Sequence, residues 1–126
     1  MTNADINKKT VLIADDDAKN RKLFKVALRD SGCEIVEAED GEQCVKLTKE
    51  KLPDLILMDI QMPVMDGITA LKTLIADPAT SKIPVIAVTS YAMKGDRERF
   101  LAEGFVDYIP KPIDVNKFKE VIGKYI

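Results

Sequence analysis

Side chains able to do chemistry fall at the ends of short apolar runs in this chain. Asp15, Asp16 and Asp17 follow the run at 10–14, and Asp59 closes the run at 55–58. Thr89 and Ser90 close the run at 85–88, and Lys111 with Pro112 follows the run at 106–109. The chain contains no histidine. That excludes Ser-His and Cys-His catalysis and imidazole metal ligation, and leaves carboxylates, hydroxyls and lysine. Clustered carboxylates repel one another and call for a hard cation. Magnesium favours a few carboxylate oxygens together with water and phosphate oxygens. A carboxylate can also attack phosphorus to give an acyl phosphate. A metal and a lysine would then neutralise charge on the transferring oxygens, with a hydroxyl holding one of them.

Such side chains act together only if the fold brings those run ends to one place. The chain alternates strand and helix patterns. Strands are expected at 10–14, 34–38, 55–58, 85–88 and 106–109, all apolar and mostly rich in Val and Ile. Helical spacing groups Leu23, Phe24, Ala27 and Leu28, with Gly32 as the cap that follows and Asp17 as the cap that precedes. Val45 with Thr48 marks a second helix, and Ile68, Leu71 and Ile75 a third. Phe100 and Leu101 close a fourth before Gly104, and Val115, Phe118, Ile122 and Tyr125 share one face of a fifth. Such alternation implies a parallel sheet covered by helices on both faces. The first, third and fourth strands are almost continuously apolar, as buried central strands are. The second carries Glu34 and Glu37, and the fifth runs into Pro110, which suits a sheet edge. The expected fold is a doubly wound (βα)5 α/β protein, a flavodoxin-like three-layer sandwich with strand order 2-1-3-4-5. In such sheets ligands bind beyond the carboxyl ends of the strands, where the chemical residues sit.

Size and charge narrow the classes further. At 126 residues the chain fits one domain, 10–126, behind a short polar tail, 1–9. A net charge of −2 gives no electrostatic reason to expect nucleic acid as partner. No apolar run reaches the length of a membrane span, and the tail lacks the apolar stretch of a signal peptide, so a cytoplasmic protein is expected. Cys33 and Cys44 are too few and too far apart for a zinc site and read as reduced core thiols.

The segments VLIADDD, LILMDIQMPVMDG, PVIAVTSYAMKGDRE and YIPKPI resemble the receiver domains of bacterial two-component response regulators, from about Lys9 to the end. The nearest flavour is that of single-domain, CheY-like regulators and hybrid-kinase receivers. The resemblance implies that Asp59 is the phosphoryl acceptor. It implies that Asp16 is the main carboxylate for Mg2+, that Asp15 holds metal-bound water, and that the backbone carbonyl of Gln61 completes the protein ligands. Thr89 is then the switching hydroxyl, Lys111 pairs with the phosphate or Asp59, Tyr108 is the aromatic switch, and the bond before Pro112 is cis. Gln61 and Tyr91 occupy positions that tune the phosphoryl lifetime. The implied donor is a sensor histidine kinase or a histidine phosphotransfer protein. The implied target is a protein bound at the face of the fourth helix, fifth strand and fifth helix. Met1 and the closing fifth helix suggest a stand-alone regulator with no output domain that catalyses only its own phosphorylation and dephosphorylation. The alternative is a receiver excised from a longer regulator or hybrid kinase.

Other classes fare worse. An aspartyl phosphohydrolase commonly places a second Asp two residues after its nucleophile, where this chain has Gln61. A flavin module needs a hydroxyl- and amide-rich phosphate loop after the first strand, and Asp15–Asp17 would repel a phosphate. A calcium loop lacks its glycine and closing glutamate.

Overall fold

The computed structural model describes residues 8–90 and 95–126. Strands are β1 (Thr10–Ala14), β2 (Glu34–Ala38), β3 (Leu55–Asp59), β4 (Val85–Thr89) and β5 (Asp107–Pro110). Helices are α1 (Ala18–Leu28), α2 (Gly41–Lys51), α3 (Gly67–Ala76), α4 (Asp96–Glu103) and α5 (Val115–Ile122). All strand pairs are parallel, in the order β2-β1-β3-β4-β5. The strand order and the two-faced helix cover are those read from the sequence.

The two layers follow from the period of a strand, which sends alternate side chains to opposite faces. Leu12, Ala14, Ile56, Met58, Val85 and Ala87 face one way and meet Cys44 and Val45 of α2, Ala70, Leu71 and Leu74 of α3, and Phe100 of α4. Val11, Ile13, Leu55, Leu57, Ile86, Val88 and Ile109 face the other way and meet Phe24, Ala27 and Leu28 of α1 and Phe118 and Ile122 of α5. The central strands are buried on both faces, so nothing polar interrupts them until their carboxyl ends. Both thiols are free. Cys44 is buried, and burial pushes its thiol up to about 12, whereas Cys33 is only half-buried.

Some boundaries and faces differ from expectation. Strands β3 and β4 run one residue further and take in Asp59 and Thr89. Backbone pairing of Asp59 with Val88 and of Thr89 with Pro110 continues through the polar residue, which an apolar pattern cannot register. Strand β5 is displaced by one residue, leaving Val106 exposed. Leu23, Ile75, Leu101 and Val115 are exposed, because each helix buries a narrower stripe than its apolar spacing suggested. Gly32 does stop the first helical stretch at φ +72°, after a 3-10 turn over Arg29–Ser31.

Aspartates set the helix starts. Asp17, Asp40, Asp66 and Asp114 each accept a hydrogen bond from a first-turn N–H of α1, α2, α3 and α5, worth about 1 kcal/mol per cap. Gly67, at the start of α3, lies so close to the strand before it that a Cβ would sit 2.4 Å from the Asp59 carbonyl oxygen. The α3 N-terminus therefore rests directly on the backbone of Asp59. Between them, Val64 holds φ +69° with its side chain 75% exposed. A β-branched residue pays for that left-handed conformation without burying its side chain in return. Val64→Gly is expected to raise unfolding stability in urea by about 1 kcal/mol; an unchanged or lower midpoint would show that the strain is absent.

Candidate functional site

The carboxyl ends of β1, β3 and β4 and the start of the loop after β5 bring the sequence-derived residues together. Asp15 directly follows β1, Asp59 is the last residue of β3, Thr89 is the last of β4, and Lys111 follows β5. Carboxylate oxygens of Asp15, Asp16 and Asp59 all lie within 4.8 Å of one another. Asp15 and Asp59 are buried, whereas Asp16 is exposed. The Lys111 ammonium lies between the two buried acids, with Nζ 2.9 Å from Asp15 Oδ2 and 3.3 Å from Asp59 Oδ2. Its backbone N–H donates to the Thr89 carbonyl at 2.7 Å, tying the lysine to the end of β4. The Lys111–Pro112 bond is cis.

Electrostatics follow from this packing. Burial first, and the Asp15 charge second, hold the Asp59 carboxyl above the usual carboxylate value, against the opposing pull of Lys111 and the Gln61 N–H. Burial would depress the Lys111 ammonium, but its contacts with Asp15 and then Asp59 outweigh burial and keep it raised. The cluster therefore holds more anionic groups than cations. Its donors are hard oxygens, one of them open to water, and that set fits a divalent cation of the magnesium type.

Around the centre, Gln61 is exposed and its N–H donates to Asp59 Oδ1 at 3.3 Å. Thr89 is buried. Tyr108 on β5 is half-buried with its ring stacked on Phe100, the centroids 5.7 Å apart. Tyr91 lies outside the described residues.

Two arrangements have no sequence signal. Arg21 of α1 donates through Nη1 to the Asp15 carbonyl at 2.7 Å and through Nε to Glu37 Oε1 at 3.0 Å. In a run of helical cations it reads as solvated surface. Asp107, at the start of β5, is buried and paired with Arg97 of α4 at 3.0 Å, and the Tyr125 hydroxyl lies 3.3 Å from its other oxygen. This acid joins α4, β5 and the end of the chain. An aspartate opening a strand gives no hint of that.

Strand order, acidic cluster and lysine together are the architecture of a phosphoryl-accepting signalling module. Residues 11–123 match the response regulator receiver domain family, and the chain belongs to it. It is a CheY-like module of two-component signalling, a family whose members take phosphate from histidine kinases. The chain is 45% identical over 118 residues to the polar-differentiation response regulator DivK of Brucella anthropi, covering 94% of this chain and 96% of that protein. Among solved structures, it resembles the receiver domain of a Pseudomonas aeruginosa sensor histidine kinase at 30% identity and a TM-score of 0.84, covering 94% of this chain and 97% of the other. That structure has a magnesium ion coordinated in its active-site cleft. A response regulator from Chloroflexus aurantiacus superposes with a TM-score of 0.88 at 26% identity, over 94% and 98% of the two chains. Among the described residues no helix is long and apolar enough to cross a membrane.

Proposed function

We propose that this protein is a cytoplasmic switch whose receiver domain, 10–126, takes a phosphoryl group on Asp59 from a sensor histidine kinase or a histidine phosphotransfer protein. The supporting observation is the Asp15–Asp16–Asp59 cluster with Lys111 between its two buried acids. Asp15, Asp16, Asp59 and the Gln61 carbonyl would hold Mg2+, which when bound neutralises charge on phosphoryl oxygens. A carboxylate oxygen of Asp59 forms a bond to phosphorus as the donor's nitrogen–phosphorus bond breaks, and the imidazole leaves with the electron pair. Lys111 stays beside the new anion, and Asp15 keeps the ammonium in place.

The phosphoryl group then biases an equilibrium between two conformations by interacting differently with each. Thr89 is drawn toward the anion, and the Tyr108 ring turns into the space left behind β4. The partner-facing surface of α4, β5 and α5 changes shape as a result. Incubation with a small-molecule phosphodonor and magnesium is expected to add the mass of one phosphoryl group; no added mass would refute the reading. Thr89→Ala and Tyr108→Ala are both expected to accept phosphate nearly as wild type does. Each should lose roughly tenfold in the phosphate-dependent part of partner affinity, about 1.4 kcal/mol. Wild-type partner binding by both variants would show that the signal leaves by another route.

A further inference from the structure

Helix α1 carries a series of cations, of which Lys19, Lys22 and Lys25 are exposed, yet the Arg21 side chain is only 11% exposed. Its fork spans two strands: Nη1 holds the Asp15 carbonyl at 2.7 Å and Nε holds Glu37 Oε1 of β2 at 3.0 Å. Lys25 braces the same carboxylate from outside at 3.1 Å, and Glu39 lies 3.8 Å from Nη2. Asp15 is also held by its N–H, which donates to the Ala38 carbonyl, by Oδ1, which accepts from the Asp17 N–H, and by Oδ2, which accepts from Lys111 Nζ. The carbonyl that Arg21 holds belongs to the peptide joining Asp15 to Asp16, where β1 turns toward α1.

We infer that Arg21 is a positioning residue for the acidic pocket, setting the Asp15–Asp16 peptide so that both carboxylates converge on a divalent cation. The inference rests on the magnesium reading of that pocket. Arg21 touches no carboxylate of the cluster, so it acts through the backbone. Its charge works against its geometry. A cation close to a cation site repels the incoming ion, so deleting the charge alone would tighten metal binding, whereas loss of positioning weakens it.

Calorimetric titration of the full chain with magnesium alone separates the two by sign. Arg21→Met is expected to bind magnesium roughly tenfold more weakly than wild type. Lys25→Met removes a like charge from the same Glu37 without touching Asp15, and is expected to bind as well as wild type or better. Arg21→Met binding as tightly as wild type or tighter overturns the inference, as does an equal loss in both variants. If Arg21→Met fails to fold by circular dichroism, Arg21→Lys keeps the charge and loses the fork. A clear loss of magnesium affinity is expected there, and wild-type affinity overturns the inference. Wild type that binds no magnesium overturns the metal reading and this inference together, whereas magnesium binding by wild type with an unaltered Arg21→Met overturns this inference alone.

Discussion

Asp59→Asn is expected to take up no phosphoryl group and to be more stable than wild type. The first half follows from the proposed acceptor role: an amide is a far poorer nucleophile than a carboxylate. The second follows from geometry. Asp59 is buried beside Asp15, and its carboxyl is held above the ordinary 3.8, so ionising it in the folded chain costs free energy. The amide removes that cost, while Lys111 keeps its shorter contact, to Asp15. A gain of about 1 kcal/mol at neutral pH is expected. The sign with pH is definite. Because the folded pKa is raised, the native state binds more protons than the unfolded chain between the two values. The wild-type penalty is therefore full above the folded pKa and fades as pH falls through it, so the advantage of Asp59→Asn shrinks in acid. Urea melts across pH together with intact-mass measurements check both halves. Phosphorylation of the variant, or a loss of stability at neutral pH, would contradict the account.

Lys111→Met carries the second large effect. Without the ammonium, two buried carboxylates face each other with no partner of opposite charge. Removing one member of a buried ion pair costs about 3–5 kcal/mol; Lys111 is 12% exposed, so roughly 2–3 kcal/mol is expected near pH 7. The rate of phosphorylation is expected to fall by roughly 10²-fold or more, the scale of losing one preorganised charge partner. Lowering the pH should restore part of the stability, since the Asp59 carboxyl, already held above its ordinary value by burial, takes up a proton. In wild type the complementary limb lies in alkali. The raised Lys111 value means that its contribution is whole below 10.5 and is lost as pH rises through the folded value. A variant with wild-type stability at pH 7 and no recovery in acid would show that the ion pair carries little weight.

Much of this was readable before any coordinates. Near-continuous apolar runs mark β1, β3 and β4 as central because strands covered on both faces tolerate nothing else. Once they are central, their ends converge and so do Asp15, Asp59 and Thr89. What stayed hidden depends on partners distant in sequence. Arg21 and Asp107 look like any surface charge until Glu37, Arg97 and Tyr125 are brought beside them. The exposure of Leu23 and Ile75 is of the same kind, since periodicity marks an apolar stripe but the neighbouring layer decides how much of it is covered.

The two open margins of the sheet also govern how the molecule behaves in a crowd of its own kind. A bare strand edge is a template on which another chain can add a strand, and growth from there leads to aggregates. On one side, β2 presents Glu34 and Glu37, with Arg21 and Lys25 clamped over the latter. An incoming strand would have to strip those charges of their partners and water. On the other side, β5 is four residues long and ends at Pro110. The Lys111 N–H turns inward to Thr89, so alternation along the strand puts the missing N–H of Pro110 on the outer side. Neither margin gives a newcomer a continuous ladder. Both margins thus resist the addition of a strand from a second copy, the step by which a sheet seeds fibrils.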